Sequence, residues 1–190
     1  MSKMILETGL RSTDPDPIAS FGDWDTFSDP RAVRLNSKPI KGLVLRPIII
    51  QVEDNHPEQA PPGLTDFFET TDFQIASNKL KNSLLSFSRD IEFVPVILQY
   101  DGKFIENEFF ILHPLRRIDG LDRSQSVIEE DEGFVVGIIK AVLDESKFKE
   151  LDWAVLDECS KVIVSESVQR AMKDSGCIGF QFTEVSDFTF

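Results

Sequence analysis

The sequence predicts an α+β fold, in which a mainly antiparallel sheet of about six to eight strands carries two short capped helices. Two observations lead to this prediction. Short runs of β-branched and aromatic residues are separated by Gly, Pro and Asp turns, and two amphipathic segments each follow a serine in the N-cap position. With 41% hydrophobic and 28% charged residues, the 190-residue chain also has enough apolar material for a packed core.

The N-terminal third of the chain differs in composition from the rest. Residues 1–63 are expected to form an irregular N-terminal segment with one strand or β hairpin, packed on an α+β core of residues 64–190. The first 40 residues are rich in Asp, Ser and Pro, and each X-Pro step moves the preceding residue out of the helical region. We expect Phe21, Trp24 and Phe27 to pin this segment to the body.

Strands account for most of the regular structure. Residues 43–52 are β-rich, and Pro47 marks an edge or a bulge because proline cannot donate to a sheet ladder. Three prolines make residues 53–63 a loop. Turns are expected at Asp101-Gly102 and Asp119-Gly120. The remaining predicted strands cover residues 91–98, 103–112, 126–128, 134–143, 153–156, 161–164 and 178–185.

Two helices are predicted by serine N-caps followed by apolar residues at helical spacing. Ser77 precedes a helix over residues 78–87, and Ser165 precedes one over residues 166–175 that ends at Gly176 in the C′ position. Each helix lies between two strands, with nearly the same spacing from cap to following strand. These β–α–β units predict an internal pseudo-repeat; the alternative is two independent examples of a common unit.

The charge of the chain restricts the class of partner. Twenty Lys and Arg residues face 33 Asp and Glu residues, which gives a formal net charge of −13. Such a surface repels nucleic acid and anionic membranes, so neither is an expected partner. It attracts a basic protein and speeds its association, although many acidic proteins are simply kept soluble by their charge.

The cysteines and the apolar segments indicate a reducing compartment. Cys159 and Cys177 belong to no CxxC pair and no Cys/His cluster with zinc spacing, so two reduced thiols are expected. The N-terminus lacks the apolar region of a secretory signal, and the longest apolar runs are far too short to span a bilayer. Cytoplasmic localisation is therefore expected.

Few residues are candidates for catalysis. His56 lies in a loop and His113 at a strand end, where a hydrogen-bonded structural histidine is the usual case. A Cys159–His113 pair is conceivable only through the fold. The sequence contains none of the phosphate-binding, zinc-protease, nucleophile-elbow or EF-hand motifs. We therefore expect no catalytic residue, no cofactor site and no metal site.

The acidic residues are better candidates for a protein interface. Glu129, Glu130, Asp131 and Glu132 form a run between two predicted strands, which is typical of an exposed turn. Their charges could meet lysines and arginines of a partner, although plain solvation explains most such runs. A second candidate patch is Asp23-Trp24-Asp25, in which an exposed aromatic ring would serve as an anchor.

Three segments carry a resemblance to a known family. The first runs from Lys161 to Phe182, where a strand ends in Val-Ser, a helix follows, and Gly176 leads to a Gly-Phe strand. The second is Phe67–Phe73 with the Ser77 helix and the strand after it, and the third is Phe109–Asp122. Over residues 64–185 the chain resembles a bacterial immunity-protein family of polymorphic toxin systems, of the kind found beside type VI and Rhs-type effectors.

The resemblance implies a function but no catalytic residue. A protein of this kind binds and neutralises a cognate antibacterial toxin by occluding it, and so protects the producing cell. The net charge favours a basic toxin. Two alternatives remain: an adaptor or chaperone that delivers the effector, and a hydrolase that reverses a toxin's modification.

Overall fold

The computed structural model describes residues 3–8, 17–35, 38–54, 64–132 and 134–187. These residues confirm the α+β class, because short helices accompany extended and mainly antiparallel sheets. The helices are α1 (Pro30–Leu35), α2 (Asn78–Leu84) and α3 (Glu166–Asp174). The strands are β1 (Lys3–Thr8), β2 (Pro17–Ser20), β3 (Ile48–Asp54), β4 (Phe67–Glu69), β5 (Gln74–Ser77), β6 (Ile91–Tyr100), β7 (Lys103–Pro114), β8 (Arg117–Ile118), β9 (Val127–Asp131), β10 (Phe134–Lys140), β11 (Trp153–Leu156), β12 (Val162–Ser165) and β13 (Phe180–Glu184).

The strands form two large sheets and one hairpin. The order of the six-stranded sheet is β2-β3-β6-β7-β5-β4, and that of the five-stranded sheet is β13-β1-β12-β11-β8. Strands β9 and β10 pair with each other in a separate two-stranded sheet. The turn at Asp101-Gly102 joins β6 to β7 with φ of 48° and 69°, as the sequence predicts for a tight hairpin.

The two β–α–β units have the same topology. Strands β5 and β6 flank β7 and run antiparallel to it, while β12 and β13 flank β1 in the same way. In both units the helix connects the two flanking strands, and α2 contacts α3. The pseudo-repeat expected from the sequence is thus present as two units of matching topology, although the central strand β7 directly follows β6 whereas β1 lies far from its unit along the chain.

Each β–α–β unit contains the same N-cap serine, and in each unit this serine is hydrogen-bonded to an aspartate. The Ser77 hydroxyl accepts the Leu80 N–H and donates to Asp66 over 2.6 Å. Ser165 accepts the N–H of the residue three positions on and donates to Asp152 over 2.8 Å. In each half the serine N–H also donates to the carbonyl of the same aspartate. A capping serine contributes about 1 kcal/mol, so the two halves are fastened by a similar amount.

Three cores divide the molecule into layers. The middle core lies between the two large sheets and contains both helices, with Leu80 and Val168 among its fully buried residues. The outer face of the six-stranded sheet is covered by residues of the N-terminal segment, including Phe21 and Phe27. The outer face of the five-stranded sheet is covered by the β9–β10 hairpin and neighbouring loops, through residues such as Ile138 and Phe148.

Several local predictions need revision. Regular elements occur within residues 1–40, where irregular chain is expected, because β1 pairs with β12 and β13 and β2 pairs with β3. Residues 41–43 form a 3-10 turn, and the strand begins only after Pro47. The predicted turn at Asp119-Gly120 is wrong. A Cβ on Gly120 would lie 2.5 Å from the Leu156 side chain, so close packing explains this glycine.

Other local predictions are confirmed. The segment predicted as the helix over residues 78–87 is α2 followed by a 3-10 turn, and Gly176 has the positive φ of 65° expected of a C′ residue. Both cysteines are free thiols. His56 and most of the predicted 53–63 loop lie outside the described residues. The division of the chain at residues 63 and 64 stays a prediction.

Candidate functional site

The β9–β10 hairpin is an exposed element with two distinct faces. Its inner face packs Ile128, Val135 and Ile138 on the outer core of the five-stranded sheet. The pairing of β10 with β9 shifts register twice, between Val135 and Gly137 and again between Ile138 and Lys140. Each shift leaves one residue of β10 unpaired, as in a β-bulge, which bends the strand and redirects a side chain.

The bulges help to present apolar side chains to solvent. The unpaired residues are Val136 and Ile139, which are 56% and 58% exposed, and Val127 of β9 is 48% exposed. A polar or charged residue is the usual choice at such positions. Exposed aliphatic side chains on one small hairpin are typical of a surface that is covered by a partner.

Acidic residues surround this apolar surface. Glu129, Glu130, Asp131 and Glu132 are all exposed, and Glu132 adopts a positive φ of 49° where β9 ends. Glu130 is paired with Arg123 at 2.5 Å, whereas the other three form no ion pair with a described residue. We call Val127–Glu132 and Phe134–Lys140 the acidic hairpin.

A charged network fastens the acidic hairpin to the body. Arg123 lies between Glu130 and Asp119, and Asp119 is hydrogen-bonded to Glu158. Burial and this hydrogen bond raise the pKa of the Glu158 carboxyl. The same hydrogen bond, with the nearby cations Lys147 and Arg123, lowers the pKa of Asp119. As pH rises, Asp119 therefore loses its proton before Glu158 does.

The second predicted patch, Asp23-Trp24-Asp25, has a different character. Trp24 is half-buried, with its ring 5.2 Å from Phe21 and 5.7 Å from Phe73, centroid to centroid. Asp23 and Asp25 are exposed, and Asp23 pairs with Arg46 at 2.8 Å. The ring that could have been an exposed anchor is thus part of an aromatic cluster.

The two predicted patches are not brought together. Trp24 packs on the outer core of the six-stranded sheet, whereas the acidic hairpin covers the outer core of the five-stranded sheet. Because the two sheets enclose the middle core, the patches lie on opposite outer layers of the molecule.

A polar cleft contains His113 and Cys159, the two residues considered above as a catalytic pair. His113 and Cys159 both line a cavity of about 640 Å³ between the two sheets. The His113 Nε2 atom is hydrogen-bonded to the Lys38 carbonyl at 2.9 Å, and burial lowers the pKa of the ring. Burial also raises the pKa of the Cys159 thiol, which disfavours the thiolate that nucleophilic catalysis needs. Within the described residues, no hydrogen bond joins the two side chains.

Two kinds of feature are absent from the described part of the chain. It contains no group of three or more His, Cys, Asp or Glu side chains arranged to hold a metal ion. None of its helices is long and apolar enough to cross a membrane.

The apolar residues of the acidic hairpin could not be identified from the sequence. Val135 to Ile139 contains four aliphatic residues around a glycine, so it lacks the strict alternation that assigns faces to a strand. The two bulges decide which of these side chains points outward, and bulges leave only a weak trace in sequence.

Comparison with known proteins supports the resemblance seen in the sequence. A search of curated proteins finds no match. A family model does match, over residues 46–187, which is about three quarters of the chain and contains both β–α–β units and the acidic hairpin. Immunity proteins neutralise toxins and are in general not enzymes. The chain belongs to the immunity protein family Imm11.

Proposed function

We propose that this protein binds a cognate antibacterial toxin and neutralises it by occlusion, with the acidic hairpin as the main contact. The family supports toxin neutralisation in general. The single observation that carries the choice of surface is the joint presentation of Val127, Val136 and Ile139 beside four exposed carboxylates.

The carboxylates define the chemistry of the partner. Glu129, Asp131 and Glu132 have no ion-pair partner among the described residues, so lysines or arginines of a toxin could pair with them without displacing existing contacts. Together with the net charge of −13, they would steer a basic toxin toward the hairpin. Electrostatic steering raises the association rate more than it strengthens the final complex.

The aliphatic residues supply affinity. Fully burying an exposed Val or Ile side chain contributes about 1.5–3 kcal/mol from the hydrophobic effect. A few such anchors surrounded by charged residues match the usual pattern of a hydrophobic interface centre with a polar rim. Occlusion follows if the hairpin covers the toxin's active site or the approach of its substrate.

The patch Asp23-Trp24-Asp25 has a lesser part in this proposal. It lies on the opposite outer layer, so its contribution is long-range attraction for a basic toxin and not direct contact beside the acidic hairpin. The protein would act in the cytoplasm of the producing cell, without a cofactor, nucleic acid or membrane partner.

Coexpression with the C-terminal domain of the toxin encoded beside this protein tests the proposal. We expect the two chains to co-purify and growth to be rescued. Growth rescue without a complex would instead support a hydrolase that reverses the toxin's modification. A complex without rescue would support a delivery adaptor.

A pair of matched variants tests the surface. Val136→Glu should abolish both co-purification and rescue. Leu85→Glu, at an apolar residue of similar exposure on the 3-10 turn after α2, should abolish neither. If Val136→Glu still binds and rescues like the wild type, the hairpin is not the contact surface.

A further inference from the structure

Strand β9 of the acidic hairpin has an open edge. Within the described residues, β9 pairs only with β10, and the two strands form a sheet of their own. No other described residue forms a hydrogen bond with the main chain of Val127–Asp131. An open edge presents a row of N–H and C=O groups that can pair with a further strand.

The turn of the hairpin identifies which main-chain groups point to the open edge. Asp131 and Phe134 pair across a two-residue connection, and Glu132 has the positive φ of 49° typical of the turns that close such hairpins. In an antiparallel pair, every second residue exchanges hydrogen bonds with the facing strand, and the residues between them direct their N–H and C=O groups away from it. Counting back from Asp131, the groups of Ile128 and Glu130 point to the open edge.

The two outer edges of the hairpin differ in regularity. The edge of β10 is interrupted by the two bulges, which leave Val136 and Ile139 without a paired residue on β9. A bulge bends its strand and hinders the addition of another strand on that side. Strand β9 contains no extra residue over its 5 residues. An added strand would therefore pair with β9 and not with β10.

The side chains along β9 define what an added strand would carry. Val127, Glu129 and Asp131 alternate along the strand, so they share one face, and all three are exposed. Ile128 points to the other face and packs on the outer core of the five-stranded sheet. Directly opposite residues of neighbouring strands have Cβ atoms about 4.5–5.5 Å apart. Lysine or arginine would therefore suit the positions opposite Glu129 and Asp131, and an apolar residue the position opposite Val127.

The charges near this edge favour a basic strand. The end of β9 and its turn carry four consecutive carboxylates, whereas Lys140 of β10 lies opposite Val127, at the other end of the hairpin. Two cations of neighbouring segments are already paired, because Arg123 contacts Glu130 and Lys147 contacts carboxylates outside the hairpin. Like charges directly opposite each other destabilise a strand pair. The same edge of a second copy of this chain would therefore be repelled.

We propose that the open edge of β9 accepts an extended basic segment of the toxin, which adds to the acidic hairpin as a third strand. This inference rests on the proposed function, because it assumes that the hairpin contacts a toxin. Main-chain hydrogen bonds to Ile128 and Glu130 would hold the segment, and Glu129 and Asp131 would select lysine or arginine at alternate positions. Strand addition thus specifies how the hairpin recognises its partner.

Hydrogen exchange measured by NMR, on the full chain alone and with the C-terminal domain of the toxin encoded beside it, tests the proposal. We expect exchange of the Ile128 and Glu130 amides to slow by at least about tenfold on binding, because each gains a hydrogen bond. The Glu129 amide should change less, since it already faces β10. Equal changes at the three amides, or no change at any of them, would overturn strand addition.

Two variants at one position provide a matched comparison. Glu130→Pro and Glu130→Ala both remove the ion pair with Arg123, but only the proline removes an N–H from the open edge. We expect Glu130→Pro to bind the toxin domain at least about tenfold more weakly than Glu130→Ala. Similar thermal unfolding curves for the two variants without toxin are the check on folding. The exchange pattern of the wild-type protein decides the question if the proline variant does not fold.

The outcomes separate this inference from the proposed function. A complex that Val136→Glu breaks, but that Glu130→Pro and Glu130→Ala form equally well, would overturn strand addition and leave the hairpin as the contact surface. The absence of any complex and of growth rescue would overturn both. Self-association in sedimentation velocity that Glu130→Pro abolishes would identify a second copy as the occupant of the edge and would likewise overturn the inference.

Discussion

The acidic hairpin can be compared with a second exposed apolar surface, which is formed by Ile49, Ile97 and Phe104 on the six-stranded sheet and is called the open sheet patch. Both present aliphatic or aromatic side chains on β structure next to a bulge, at Val136 and Ile139 in the first and at Asn107 in the second. The hairpin is bordered by a run of four acids, and the patch has Lys41 and Lys81 at one end and the exposed acids Glu53, Asp101, Glu106 and Glu108 around the rest. Both surfaces thus combine exposed apolar side chains with acidic neighbours, so neither feature by itself distinguishes one surface from the other.

The two surfaces also differ in how they are attached to the body. The hairpin pairs with no other strand of the described residues and depends on its inner apolar face and the Arg123 network. The patch belongs to a six-stranded sheet with a buried core on its other face. We expect the hairpin to move more easily than the patch, because fewer contacts restrain it.

The largest expected effect comes from a variant that disrupts the close packing of Gly179 against strand β4. Gly179 has a φ of 100°, and a Cβ there would lie 2.1 Å from the Phe67 carbonyl oxygen. Gly179→Ala should lower the free energy of unfolding by about 3–5 kcal/mol, measured by denaturant titration. Gly102→Ala is the matched control, because it also has positive φ but no atom within 4 Å, and should cost about 1 kcal/mol. Equal losses would mean that close packing at Gly179 is unimportant.

The next effect separates the two surfaces. The double variant Val136→Glu and Ile139→Glu should weaken toxin binding by at least about 100-fold, because it places two charges in the apolar centre of the interface. Phe104→Glu should leave toxin affinity unchanged. Isothermal titration calorimetry of both variants with the toxin domain measures the difference. If Phe104→Glu causes the larger loss of affinity, the roles of the two surfaces are reversed.

A smaller effect tests the equivalence of the two halves that carry these surfaces. Ser77→Ala and Ser165→Ala each remove one N-cap acceptor and one hydrogen bond to an aspartate. Each should lower the free energy of unfolding by about 1 kcal/mol, with no change in toxin binding. Thermal unfolding of the two single variants provides the comparison. If only one of the two substitutions lowered the free energy of unfolding, the two serines would not stabilise their β–α–β units equally.

The smallest effect concerns the network under the acidic hairpin and depends on pH. Because the pKa of Glu158 is raised in the folded protein, its contribution to stability is present in acid and lost as pH rises through the folded pKa. Glu158→Gln should therefore raise the melting temperature at about pH 8 and leave it unchanged at about pH 4.

The pKa of the neighbouring carboxyl, Asp119, is shifted in the opposite direction. The lowered pKa of Asp119 stabilises the fold above its ordinary pKa, and this stability is lost as pH falls. Asp119→Asn should consequently lower the melting temperature at about pH 8 and matter less in acid. Parallel pH profiles for the two variants would contradict the opposite directions of the two pKa shifts.

Local chemistry explains what the sequence could predict. Ser77, Ser165 and Gly176 specify helix ends within a few residues, so both longer helices and the pseudo-repeat could be recognised. The acidic run is exposed as expected, because four consecutive charges cannot be buried, but residues 129–131 belong to strand β9 and only Glu132 lies in the turn. The family was recognised from these same caps and turns.

Long-range pairing explains what the sequence could not predict. Strand β1 lies between β12 and β13, more than 150 residues away along the chain, and no local signal announces those partners. Trp24 is half-buried because its ring packs against that of Phe73, a residue distant along the chain that directly precedes strand β5. Gly120 resembles a turn glycine until Phe148 and Leu156 are seen to pack against it.

Hydrogen exchange of this protein, alone and in complex with its toxin, tests the central claim most directly. The account predicts that binding slows exchange of the backbone amides of Val127–Glu132 and Phe134–Lys140, while the amides around Ile49, Ile97 and Phe104 do not change. Protection around those three residues or around the His113 cleft, with unchanged exchange in the acidic hairpin, would contradict the account.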